Sequence, residues 1–192
     1  MSPPHSLDPA QRRGLIGLAR QSIEAGLRTG QRSTYAPAAH DAALEEPRAT
    51  FVTLRIQDAL RGCCGTMEPQ HSLAGDVWRN AWASAFNDPR FPPLTSAEYP
   101  RIDVHISALS RLEVLPSMSE AELLAILRPG IDGLLLRRGT SQATFLPSVW
   151  EQVPQPAEFL RHLKQKAGWP ATFWAPDMQI HRYTTESFGE RD

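Results

Sequence analysis

Two pairs of short apolar segments, each closed by a tight polar turn, constrain this chain more than any other feature. Phe51 to Ile56 has the character of a strand, and Gln57-Asp58-Ala59 turns it back into Leu60 to Gly65. Gly133 to Arg138 and Ala143 to Leu146 flank Gly139-Thr140-Ser141 in the same way. Strands joined this closely pair antiparallel, because a parallel pair needs a long crossover. Ile102, Val104 and Ile106 alternate with Asp103, His105 and Ser107 as a further half-buried strand. A last strand is predicted over about Gln179 to Thr185.

Helical signals stand between these segments. Asp8 is a fitting N-cap with Pro9 behind it, and Leu15, Ala19, Ile23 and Leu27 recur every four residues before Gly30. Residues 31–47, interrupted by Pro37 and Pro47, suit an exposed connection. A second helix is predicted from about Ser72 to Phe86. Its stripe is Leu73, Val77, Ala81 and Ala85, widened by Trp78 and Trp82, so most of its surface is expected to be buried. Ser119-Glu120-Ala121-Glu122 is a capping box ahead of Leu123, Leu124, Ile126 and Leu127, ended by Pro129-Gly130. A fourth helix spans roughly Pro156 to Ala167, with Phe159, Leu160 and Leu163 inward and Gly168 behind it. Hairpins outnumber β-α-β crossovers. That predicts an α+β fold with a mostly antiparallel sheet and flanking helices.

Composition narrows the class. A 192-residue chain that is 41% hydrophobic buries roughly 70% of its unfolded surface and needs no disulfide or metal to fold. The formal net charge of -1 gives no basic arm for nucleic acid, and the eighteen arginines are scattered. Leu123-Leu124-Ala125-Ile126-Leu127 is far shorter than the ~18–20 apolar residues of a membrane span. Met1-Ser2-Pro3-Pro4-His5-Ser6 lacks the basic stub and apolar core of a secretory signal, so a soluble cytoplasmic protein is expected. Cys63 and Cys64 are adjacent, and neighbouring Cα atoms ~3.8 Å apart strain a mutual disulfide, which favours a reducing compartment.

The common phosphate-loop, dinucleotide, zinc-protease and serine-hydrolase motifs are missing from the sequence. His5, His40, His71, His105, His162 and His181 show no tight metal-ligand spacing, and no metal or other cofactor is assigned. Attention falls on Leu60-Arg61-Gly62-Cys63-Cys64-Gly65. Strand alternation puts Arg61 and Cys63 on one face and Cys64 on the other. A guanidinium beside a thiol favours the thiolate. Gly62 and Gly65 weaken a strand, and their use is the close approach of a ligand or another backbone. Cys64 is expected to pack as a small hydrophobe. In Asp88-Pro89-Arg90-Phe91-Pro92-Pro93, Asp88 is placed to cap backbone N–H groups or pair with Arg90, and Arg90 to join Arg61 in binding an anion. Lys166, in the last turn of its helix, is accounted for by the helix dipole, and Asp132-Gly133 by a turn.

Leu60-Arg61-Gly62-Cys63, followed by Gly65, resembles the L-R-G-C-x-G signature of the AMMECR-type domain family, whose prokaryotic members are called AmmeMemoRadiSam system protein A. Asp88 to Leu94 matches its D-P-R-F-P-P-L stretch, and Ile106-Ser107-Ala108-Leu109-Ser110 its I-S-V-L-S strand. Arg128-Pro129-Gly130, Asp132-Gly133-Leu134, Thr144-Phe145-Leu146-Pro147 and Lys166-Ala167-Gly168 follow in the family's order. The likeness runs from about Leu7 to Phe188. Cys64 stands where an aliphatic residue is common, and His105 where an acidic one is common.

The resemblance implies one AMMECR-type domain over residues 1–192, with a larger lobe from both chain ends and a smaller β-rich lobe from the middle. It implies association with Memo-like and radical SAM proteins in a modification pathway, and a site at Arg61, Gly62 and Cys63. Two functional readings follow. In the first, Cys63 is a nucleophile or thiol ligand, Arg61 its electrostatic activator, Arg90 an anion clamp, and His105 the one residue put forward as a base. In the second, the same surface belongs to a non-catalytic adaptor for those partners.

Overall fold

The computed structural model describes residues 6–36 and 41–191. Pro37, His40 and residues 1–5 of the opening segment read above for a signal, His5 among them, lie outside the described residues. Two compact units divide the chain, one formed by Met1–Leu109 with Glu186–Asp192 and the other by Ser110–Thr185. Each holds a four-stranded sheet, and every pairing described is antiparallel. The expected α+β class and the two lobes are both present.

The larger unit opens with helix α1 (Pro9–Thr29). Asp8 accepts the amides of Ala10 and Gln11, the Gln11 side chain accepts the Asp8 amide, and Gly30 closes the other end in the left-handed region. Strands β1 (Thr50–Ile56) and β2 (Ala59–Gly65) form the first hairpin. Its turn is shorter than predicted: only Gln57 and Asp58 make it, at φ 52° and 65°, and Ala59 is already strand. Helix α2 (Leu73–Phe86) starts at the Ser72 cap, and β3 (Asp103–Leu109) pairs with β1. The expected connection over residues 31–47 also carries a short 3-10 turn, Ala42–Leu44.

Strand order β2-β1-β3-β8 leaves β2 on the sheet edge. Helices α1 and α2 pack on each other, α2 against β1 and β2, and α1 against β3. Leu15, Ile23, Val52, Leu54, Val77, Val104 and Ile106 have no exposed surface. Each such side chain contributes about 1.5–3 kcal/mol relative to leaving it in water. The predicted stripe of α1 is therefore core, with Leu27 partly buried beside it. In α2 nine of the fourteen residues are buried and none is exposed, with Trp78 and Trp82 partly buried, so the helix is enclosed as its pattern predicted.

In the smaller unit, β4 (Glu113–Leu115), α3 (Glu120–Ile126), β5 (Gly133–Arg138), β6 (Ser141–Phe145), α4 (Pro156–Lys166) and β7 (Gln179–Tyr183) build a sheet in the order β4-β7-β5-β6. Trp150 stacks on Phe159 with ring centroids 3.8 Å apart at the centre of its core. The Asp132 turn is stiffened by the side chain of Arg128, which donates to its fully buried carboxylate.

The end of the chain differs from expectation. A single strand was predicted over Gln179 to Thr185, but β7 stops at Tyr183 and β8 (Thr185–Gly189) begins in the other sheet. Thr184 separates them because its amide and carbonyl are both bonded to Ser110, which draws it out of either ladder. Strand β4 was not foreseen, since three residues carry too little pattern.

Candidate functional site

The hexapeptide singled out from sequence lies on β2. Cys64 is opposite Val52 and Gly62 opposite Leu54, which are fully buried core residues, so these two belong to the helix-covered face. Cys63 is opposite Thr53, and Thr53 is opposite His105 on β3. Cys63, Thr53 and His105 thus form one cross-strand row on the other face. The Thr53 hydroxyl donates to Cys63 Sγ at 3.4 Å. His105 is two strands from Cys63, with Thr53 between them, so direct contact is not what the register provides.

Pairing slips between Leu54 and Arg55, where Gly62 and Leu60 are their partners. Arg61 is the extra residue of this β-bulge, a device that re-aims a side chain. Its Nε and Nη2 donate to the two Glu98 oxygens at 2.8 and 3.1 Å, and its guanidinium lies 5.8 Å from the Phe91 ring centre. The Arg61 charge is thereby balanced by Glu98, a residue that sequence reasoning did not name. Arg61 Nη1 is buried without a hydrogen-bond partner among the described residues. Glu98 also accepts the amide and hydroxyl of Thr95, and these bonds, led by that from Arg61, hold its carboxyl down at about 2.

The proline-bracketed loop comes directly onto β2. Asp88 Oδ2 accepts the Cys63 amide at 2.9 Å, while its two oxygens take the Arg90 amide, Nε and Nη2 at 3.1, 3.0 and 2.7 Å. Both roles considered for Asp88, backbone cap and partner of Arg90, are filled at once. Arg90, above all, and then the two amides hold the Asp88 carboxyl far below the usual range, against its burial. Arg90 Nη2 also reaches the Cys63 carbonyl at 3.4 Å, and its guanidinium lies 5.6 Å from the Phe91 ring. Arg61 and Arg90 therefore meet at Phe91. Arg90, with more than half of its side chain exposed, is the guanidinium that borders the main chain of Cys63.

The two glycines serve the protein's own packing. A Cβ on Gly62 would lie 2.0 Å from the Ser84 carbonyl oxygen on α2, and one on Gly65 would lie 2.3 Å from the Phe51 ring. Of the two uses expected of these glycines, the close approach of another backbone is met at both, by the Ser84 carbonyl at Gly62 and the Thr50 carbonyl at Gly65. Ser84 was not foreseen either: its hydroxyl accepts the Cys64 amide at 2.8 Å and lies 2.7 Å from the Val52 carbonyl. Beneath it, the buried Asp76 carboxylate accepts from Thr50, Thr66 and Asn80. Burial pushes the Asp76 carboxyl up, against the pull of those bonds. It likewise pushes the Cys64 thiol up, ahead of the negative charge of Asp88.

Chemically, the arrangement offers a half-buried thiol with a hydroxyl donor and a rigidly held, solvent-facing guanidinium nearby. Among the described residues no three His, Cys, Asp or Glu side chains gather as metal ligands, and no helix is long and apolar enough to cross a membrane.

Comparison with known proteins gives a consistent picture. The chain is 36% identical over 180 residues to a protein of Methanothermobacter thermautotrophicus, covering 93% of each. It is 33% identical over 187 residues to protein MK0488 of Methanopyrus kandleri, covering 93% of this chain and 87% of that one. The crystal structure of the uncharacterised protein PH0010 from Pyrococcus horikoshii superposes with a TM-score of 0.86 at 33% identity, over 92% of this chain and 90% of that one. The AMMECR1 family model matches residues 16–188, and this chain belongs to that family.

Proposed function

We propose that Cys63 is the reactive thiol of an enzyme, or enzyme subunit, acting in a cytoplasmic modification pathway beside Memo-like and radical SAM proteins. The observation that carries this reading is the setting of Cys63 on an edge strand. Its amide is pinned by Asp88, its sulfur receives the Thr53 hydroxyl, and Arg90 stands beside it with an exposed guanidinium. An edge strand fixed by side chains holds a nucleophile without blocking it. Arg90 suits the anion clamp, because its planar fork can serve a phosphate or carboxylate while Asp88 holds the stem. Arg61 is assigned a positioning role through Glu98. The pathway and the partners rest on membership of the family.

An adaptor is the second reading, and one observation favours it. Both carboxylates at the site, Asp88 and Glu98, are spent on arginines and backbone amides, which is how a rigid presentation surface is built.

The two readings part on reagent charge. If Arg90 serves Cys63, negatively charged iodoacetate will gain on neutral iodoacetamide at Cys63 by about threefold or more compared with a free thiol, an attraction of order 0.7 kcal/mol. Arg90→Gln is expected to abolish that preference. Equal preference in the parent and in Arg90→Gln would overturn the clamp and favour the adaptor.

A further inference from the structure

A concave site lies at the start of α2. Arg32, Ser33, Tyr35, His71, Ser72 and Arg79 line a cavity of about 340 Å³, at the small end of the range for ligand pockets. No carboxylate is among its lining residues. The guanidiniums of Arg32 and Arg79 make neither an ion pair nor a hydrogen bond with any described residue, whereas those of Arg12, Arg20, Arg48, Arg61 and Arg90 are all salt-bridged. Two uncompensated guanidiniums in one concavity repel each other, and the field there is positive. His71 lies beside them, as does the N-terminus of a 14-residue helix, whose dipole adds positive potential.

Two nearby acids, Asp76 and Glu45, are engaged elsewhere, while the exposed Glu46 is not among the lining residues. Asp76, in the first turn, directs its carboxylate to Thr50, Thr66 and Asn80, and Glu45 accepts the Tyr35 hydroxyl at 3.1 Å. One lining residue also carries an unsatisfied group. Ser33 Oγ is buried with no partner among the described residues, although the carbonyl of the same residue accepts Trp78 Nε1 at 3.0 Å.

We propose that this cavity binds a small phosphate monoester of nucleoside-monophosphate size, with Arg32 and Arg79 clamping the phosphate and Tyr35 walling the organic part. A dianion matches two guanidiniums, whereas a monocarboxylate leaves one uncompensated. The cavity volume admits an organic group beyond phosphate itself. The site is independent of Cys63.

Isothermal titration calorimetry with AMP, inorganic phosphate and adenosine tests it. AMP is expected to bind, phosphate to bind more weakly and adenosine not to bind. Arg79→Gln and Arg32→Gln should each weaken AMP by about tenfold or more, the scale of a lost charge-assisted pair. Arg32 is exposed, so its variant keeps the proposal testable should Arg79→Gln perturb the fold. Arg90→Gln should leave AMP binding unchanged, which separates this site from the one at Cys63. No heat with AMP or phosphate up to ~10 mM, the weak limit of useful affinity, overturns the proposal. So does adenosine binding as well as AMP, or AMP binding untouched by both variants.

Discussion

The main-chain amide of Cys63 donates to the buried carboxylate of Asp88, 25 residues away in sequence, at 2.9 Å. Two family motifs are joined by this bond, because the residue that caps the edge of β2 also holds Arg90. Asp88→Ala is expected to cost about 2 kcal/mol, since it leaves an amide without its acceptor. Asp88→Asn, which keeps one oxygen, should lose less. Urea denaturation of the three proteins measures the difference, and equal midpoints would show that water replaces the carboxylate at no cost.

Gly62 brings β2 directly against the backbone of α2. A methyl group there meets the Ser84 carbonyl, which is backbone and has no rotamer to escape into. Gly62→Ala should destabilise by about 3 kcal/mol or more, at the upper end for overpacking. Gly14→Ala, on an open face of α1, is the contrasting control and should be neutral or mildly stabilising. Thermal melts of both variants decide the point.

Much of this architecture is legible in the sequence. The Asp8 cap, the α1 stripe and both hairpins are local patterns, and local physics is enough to form them. The site is legible only in part. Cys63, Asp88 and Arg90 stand in motifs, but Glu98 meets Arg61 across 37 residues, through a bulge that alternation cannot anticipate. Thr53 and Ser84 gain their roles from strand register and helix packing, which leave no trace in residue spacing. The end of β7 was missed because Thr184 is drawn aside by Ser110, a contact across 74 residues.

Acid should loosen the loop that carries these carboxylates. Glu98 is held down at about 2 and Asp88 is also depressed, whereas unfolded carboxyls titrate near ~4. A depressed carboxyl contributes stability that is complete above the unfolded value and is lost as pH falls through the folded one. Stability from this pair is therefore full at neutral pH and declines below ~4. Asp76, pushed up by burial, acts in the opposite sense and favours the folded state as pH falls. The clean readout is the difference between Glu98→Gln and the parent. It should shrink steadily from about pH 4.5 to pH 2, the window between the two states' values, and a constant difference would contradict the assignment.

The β1–β2 turn holds two non-glycine residues in the left-handed region. That conformation costs roughly 1 kcal/mol per residue, and asparagine-glycine suits it better. Replacing Gln57 by Asn and Asp58 by Gly should raise stability by about 1 kcal/mol. Arg191 loses its exposed partner Asp58, a small offset for a surface pair. A fall in melting temperature would mean that the Asp58 contacts outweigh the backbone strain.

The central claim is that Cys63 is a reactive thiol while its neighbour is a packing residue. Alkylation of the native protein with iodoacetamide across pH 6 to 9, the range about an ordinary thiol's ~8.5, followed by peptide mass analysis, separates the two. Cys63 is expected to label in the folded state. Cys64, on the helix-covered face with its thiol pushed up by burial, should lag by about tenfold or more until denaturant is added. Labelling of both cysteines only on unfolding, or of Cys64 ahead of Cys63, would contradict the account.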